Sequence, residues 1–358
     1  MKETKELLLF TANFGEASEE IVQSEGQVLL QLTDTVFVAL LPAAFNADTL
    51  RFSSVDPLKD LDVKSQLFVK AWDKLQASGL DELTGDNIPW DDQKFETPRH
   101  PGNDPYLNEA DNGLTSVNET MTGKIVVGIV IVSGPASQGL QFSTDDQIKT
   151  IMQIMQGTRF LALNAPSTAN LSFVFDSNYP TVTALPRPQP CSNQDFQLCE
   201  AVFRDPALQQ MGYQAGYQGC VDYVNHLLTA PNSNGAYVSF FTKYPLFHFA
   251  YQYGVNLYMQ YSNDGWGPDR INQVFAHESC HIFGAADEYA SSGCTCAPSG
   301  KNQTPNNNCE NCAYQPKVSC LMNANTLTLC KWSRGQLGWQ VAAGVQEIVY
   351  GENENGID

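Results

Sequence analysis

The spacing of apolar residues separates strand-like from helix-like stretches along the chain. Leu7–Phe10, Val28–Leu32 and Val36–Leu41 are short apolar runs between polar residues and predict strands. Across Val63–Leu75 the apolar positions Leu67, Phe68, Ala71, Trp72 and Leu75 recur at helical spacing and predict a helix. Residues 1–95 therefore read as a small α+β N-terminal domain. Residues 96–122 are polar, rich in Pro, Gly and Asn, and have no period, which predicts a linker or exposed loop. Its Asp and Asn clusters suit either Ca2+ or plain solvation.

From Lys124 the pattern becomes regular. Ile125–Val132 is apolar without alternation, as expected of a strand buried on both faces. Ser143, followed by Asp145 and Asp146, predicts a capped helix start, and Ile148, Ile151, Met152, Met155, Phe160 and Leu161 continue at roughly helical spacing. Leu171–Phe175 predicts a strand, and residues 195–229 predict helix broken near Asp205-Pro206. Ala236–Thr242 and Val255–Tyr261 predict two more strands, either of which would lie at the edge of a cleft. Strands and helices interspersed in this way give an α+β class, with residues 123–358 as the larger domain.

The chemistry concentrates in His277-Glu278-Ser279-Cys280-His281-Ile282-Phe283-Gly284-Ala285-Ala286-Asp287. Gly267-Pro268-Asp269 marks a helix start, and Ile271, Val274, Phe275 and Phe283 supply an apolar stripe, so a helix from about Pro268 to Phe283 is predicted. On that helix the two histidines share one face and can reach one metal ion. Glu278 is placed to act on a metal-bound water. Gly284 permits a sharp turn that would return Asp287 as third ligand, since a carboxylate oxygen is an ordinary zinc partner. Glu288, Glu310 and His248 are the other candidates for that role. The arrangement is that of a zinc hydrolase.

This HExxHxxGxxD form resembles that of the metzincins, a clan of zinc endopeptidases. Ser319-Cys320-Leu321-Met322-Asn323 is similar to the clan's methionine turn, with Met322 as its methionine or as an ordinary core residue. The Asp287 position matches the snapalysin-like minority, where most of the clan has histidine. Ala324 stands where many relatives carry a tyrosine, so no oxyanion role is carried over to it. The Asp287-Glu288-Tyr289 run also resembles the IgA-type peptidases, at a spacing offset by one residue. The resemblance implies a metzincin-like domain with a mixed sheet, a zinc helix and an irregular lower part. It implies one catalytic Zn2+ and protein or peptide substrates; a zinc amidase on a non-protein substrate and a non-catalytic binding protein on a peptidase fold are the alternative readings. Residues 1–95 would then be a pro-segment or an accessory domain; they contain no cysteine, which excludes latency through a cysteine thiol.

Composition narrows the partners. The 358 residues carry a net charge of −19, which argues against nucleic acid and anionic membranes. A monomer is expected. All ten cysteines follow residue 190, and Cys294, Cys296, Cys309, Cys312, Cys320 and Cys330 fall within one Asn-, Gly- and Pro-rich stretch. Disulfides or a second, structural Zn2+ would staple it. Disulfides imply an oxidising compartment and a secreted protein, although no signal peptide is visible at the N-terminus.

Overall fold

The computed structural model describes residues 5–42, 60–78, 86–94, 119–183, 196–246 and 248–339. Nearly all of the 96–122 loop, with its Ca2+ reading, lies outside them, as do His100 and Cys191.

In chain order the elements are β1 (Lys5–Thr11), α1 (Phe14–Gln23), β2 (Gln27–Gln31), β3 (Val36–Pro42), α2 (Val63–Ala77), β4 (Ile88–Pro89) and β5 (Lys124–Val132). There follow α3 (Thr144–Asn164), β6 (Ser172–Asn178), α4 (Phe196–Gln210), α5 (Tyr217–Leu227), β7 (Ser233–Thr242), β8 (Ala250–Tyr253), β9 (Asn256–Gln260) and α6 (Ile271–Ile282). The irregular C-terminal part holds β10 (Pro298–Ser299), β11 (Thr304–Pro305), β12 (Ala324–Asn325) and α7 (Lys331–Gln336).

β5 is apolar throughout because it sits inside a sheet covered on both faces. Ile125, Val127, Ile129 and Ile131 point into the larger core, where α2, α3 and α6 pack. Val126, Val130 and Val132 point the other way, against α4 and α5. The eight-stranded sheet has the order β1-β3-β2-β6-β5-β7-β9-β8. The strands from β2 through β9 in that order run parallel, whereas β3 is antiparallel to both β1 and β2, and β8 is antiparallel to β9. A mixed sheet with helices on both sides is an α+β arrangement.

Three sequence expectations need amendment. The N-terminal strands share this sheet, because β2 pairs with β6 through Leu30 and Phe173, and Leu29, Phe68 and Trp72 enter the same core as Ile125 and Met155. The helix at Pro206 is not broken: α4 runs through it, with Phe203, Ala207 and Leu208 buried against the sheet. A proline costs one backbone hydrogen bond and a steric adjustment, which this burial offsets. On the side of β7 and β9 the sheet ends not with either of them but with the four-residue β8, turned back against β9 at Gly254. Gly254 has φ +57°, and a Cβ there would lie 2.0 Å from the Tyr217 hydroxyl, so only glycine fits.

α3 begins with a capping box. The Asp146 amide donates to Ser143 Oγ (3.1 Å), and the Ser143 amide donates to Asp146 Oδ2 (2.8 Å). Lys243 Nζ also donates to Asp146 Oδ2, at 2.6 Å. Partial burial would raise the Asp146 pKa, but the bonds from Lys243, Ser143 and Tyr261 outweigh it and bring it down to about 2. A depressed carboxyl stabilises the fold above its ordinary pKa of 3.8 and loses that contribution as pH falls toward 2. Asp146→Asn is therefore expected to cost about 1 kcal/mol at neutral pH. In urea titrations the gap to wild type should close progressively below the ordinary carboxyl pKa; a gap that stays constant with pH would contradict the assignment.

Candidate metal centre

α6 is buried along its whole length and is set tightly against α3. The close approach requires Gly157, where a Cβ would lie 2.6 Å from the Asn272 carbonyl oxygen. A 3-10 turn at Pro268–Arg270 leads into the helix, as the Gly-Pro start predicts. His277 and His281, one turn apart, place their Nε2 atoms 3.1 Å from each other.

The other nitrogen of each ring is anchored. His277 Nδ1 donates to the Leu321 carbonyl at 2.9 Å, and His281 Nδ1 donates to the Ala285 carbonyl at 2.7 Å. A carbonyl oxygen can only accept, so the hydrogen of each neutral ring resides on Nδ1 and Nε2 presents a lone pair. Trp90 reinforces the first anchor: its Nε1 donates to the same Leu321 oxygen at 2.6 Å, and its ring meets His277 edge-on at 5.1 Å.

Helix α6 ends in a Schellman turn. The Ala285 amide donates to Cys280 O and the Gly284 amide to His281 O. Gly284 takes φ +83°, and a Cβ there would come within 2.9 Å of Gly300. The turn delivers Asp287, whose Oδ1 lies 3.2 Å from both Nε2 atoms. Asn306 holds the Asp287 carbonyl at 2.8 Å, and the Tyr289 hydroxyl hydrogen-bonds to the Asp287 carboxylate. Burial would raise the Asp287 carboxyl; positive charge placed on the His277 and His281 side of it holds it well below the usual carboxylate range.

His277, His281 and Asp287 thus direct three acceptor atoms at one buried point, and Asp287 Oδ1 has no hydrogen-bond donor. Such a set needs positive charge between its members, which a divalent cation supplies. The donor set fits a metal ion.

Glu278 is 1 % exposed, and its Oε2 has no hydrogen-bond partner. Burial pushes this carboxyl up to about 8; His281 and the Gln252 amide on β8 work against the rise, and Asp287 adds to it. A cavity of about 300 Å³ opens beside His281 and Asp287, walled by residues 284–286 and by the loop at residues 292–299. Met322 is fully buried, and its carbonyl accepts from the Glu288 amide at 2.9 Å.

The alternative third ligands are occupied elsewhere. Glu288 turns to Asn308, Ser333 and Cys330. Glu310 accepts from the Ala290 amide, and His248 packs beside Tyr251. Of the six clustered cysteines, four form the disulfides Cys294–Cys309 and Cys296–Cys312, while Cys320 and Cys330 remain thiols. Cys280, within α6, is also a buried thiol. Sequence reasoning passed over Trp90, Gln252 and the contact of Tyr289 with Asp287. Only Tyr289 had a signal, its place in the Asp-Glu-Tyr run.

No protein-family model matches the chain, and no curated protein matches it.

Asp287→Ala is expected to abolish metal binding at the His277/His281 point. Tyr289→Phe should retain binding but weaken it about 10- to 100-fold, since the hydroxyl orients the carboxylate. Chelator-competition titrations measure both; full affinity in Asp287→Ala would refute the ligand set.

Proposed function

We propose that this protein is a zinc-dependent endopeptidase of metzincin-like organisation. The observation that carries the reading is the meeting of His277 Nε2, His281 Nε2 and Asp287 Oδ1 beside the buried Glu278 carboxyl. Two imidazoles and one carboxylate suit Zn2+ and leave an open position for chemistry. Bound there, Zn2+ would supply Lewis-acid polarisation of a scissile carbonyl and would acidify a water.

The chain's own groups do the rest. Glu278 accepts the proton of the attacking water and passes it to the leaving amine. Burial raises its pKa, which makes it a stronger base than an exposed carboxylate. His277 and His281 are held in one tautomer by Leu321 and Ala285, so they need no reorganisation.

A peptide substrate is favoured by β8. It ends the sheet among the described residues, and its Gln252 amide reaches Glu278. An extended chain pairing near that edge would bring a peptide bond beside Glu278 and the His277, His281 and Asp287 cluster. The disulfides suit an oxidising, extracellular setting, and no described helix is long and apolar enough to cross a membrane.

Purified protein should cleave casein, lose the activity to a chelator and regain it with Zn2+. Glu278→Ala should retain the metal and lose about 10²- to 10⁴-fold in kcat. Cleavage by the variant at the wild-type rate, or zinc-loaded wild type inert towards every protein offered, would rule the reading out.

A further inference from the structure

On the far side of Asp287 lies a second group of metal-ligating side chains that the proposed hydrolytic chemistry does not use. Glu288, Cys320 and Cys330 offer one donor atom each, all within 4.8 Å of one another. They are 0 %, 0 % and 3 % exposed. Ser333 Oγ completes the group, 2.8 Å from Glu288 Oε1, 3.2 Å from Cys320 Sγ and 3.3 Å from Cys330 Sγ.

We propose that Glu288, Cys320, Cys330 and Ser333 form a second, structural site for a thiophilic divalent cation such as Zn2+. Tetrahedral zinc with Zn–O of about 2.0 Å and Zn–S of about 2.3 Å has ligand-to-ligand edges of about 3.3–3.8 Å. The Ser333 distances fall a few tenths of an ångström short of that, so a small outward shift admits the ion.

Two observations favour a cation over a further crosslink between Cys320 and Cys330. Glu288 is a buried carboxylate whose hydrogen-bond donors, Asn308, Ser333 and Cys330, are all neutral. A Cys320–Cys330 bond would remove one of those donors and leave the carboxylate worse off. Both sulfurs also accept backbone N–H groups, Cys320 Sγ from Cys330 at 3.3 Å and Cys330 Sγ from Ser333 at 3.4 Å. Such bonds fix the two sulfurs in place; burial pushes the Cys320 thiol well up, so the ion itself must drive its deprotonation. Binding displaces the two thiol protons to solvent and changes no oxidation state.

The ion would pin three segments beneath the first centre. Glu288 adjoins Asp287, Cys320 adjoins the Leu321 carbonyl that anchors His277, and Cys330 and Ser333 belong to the start of α7. Its existence does not depend on whether the first centre hydrolyses peptides.

Cobalt distinguishes the two sites, because only the second offers thiolates. Wild type loaded with Co2+ should bind two ions per chain and show a thiolate-to-cobalt charge-transfer band in the near ultraviolet. His281→Ala should bind one ion and keep the band, and Cys280→Ala should also keep it. The pair Cys320→Ser, Cys330→Ser should lose it and bind one ion. Should that pair fail to fold, wild type still decides the matter. Absence of the band from cobalt-loaded wild type, or a Cys320–Cys330 disulfide found by peptide mapping, overturns the proposal.

Discussion

Buried acceptors repel when they face one another, and three do so here. His277 Nε2, His281 Nε2 and Asp287 Oδ1 stand 3.1–3.2 Å apart with no donor hydrogen from the surrounding protein on Asp287 Oδ1. In a low-dielectric interior that arrangement is costly by itself and becomes favourable around a cation. The local architecture serves to hold it in place. The Leu321 and Ala285 carbonyls fix the ring tautomers, Gly284 turns the chain, and Tyr289 holds the carboxylate.

The larger fold positions this cluster from two sides. α6 lies in the main core, locked to α3 through Gly157 and through the Asn272 amide, which donates to Gln153 Oε1 at 3.0 Å. From the other side, β8 is secured by Tyr251, which donates to the buried Glu200 carboxyl; Glu200 in turn pairs with Arg204 at 3.2 Å. On the same strand the Gln252 backbone amide hydrogen-bonds to Glu278. The segment 86–94 closes the assembly: β4 pairs with β12, and Trp90 shares the Leu321 oxygen with His277.

What could be read from sequence is what local rules govern. The α6 limits follow from Gly267-Pro268 and Gly284, and the α3 start from Ser143 and Asp146; both lie within one or two turns of their signals. Asp287 was reachable because its distance from His281 is short and passes through one stereotyped turn. Non-local pairings were not legible. Nothing around Leu30 announces Phe173, and nothing around Trp90 announces Leu321. β8 escaped notice because four residues with three of them buried give no alternation to detect. The cysteines showed that the loop is stapled, but their division into two crosslinks and two thiols depends on which backbones meet. Pro206 misled because burial of its neighbours outweighs a strong local rule.

A single cation at the point shared by His277, His281 and Asp287 would unite these features. Anomalous diffraction at the zinc absorption edge, from crystals of protein purified without chelator, tests it most directly. A peak is expected about 2.0–2.1 Å from both Nε2 atoms and about 2.0–2.2 Å from Asp287 Oδ1. Zinc-soaked crystals with no peak there, and with the three side chains turned away from one another, would contradict it.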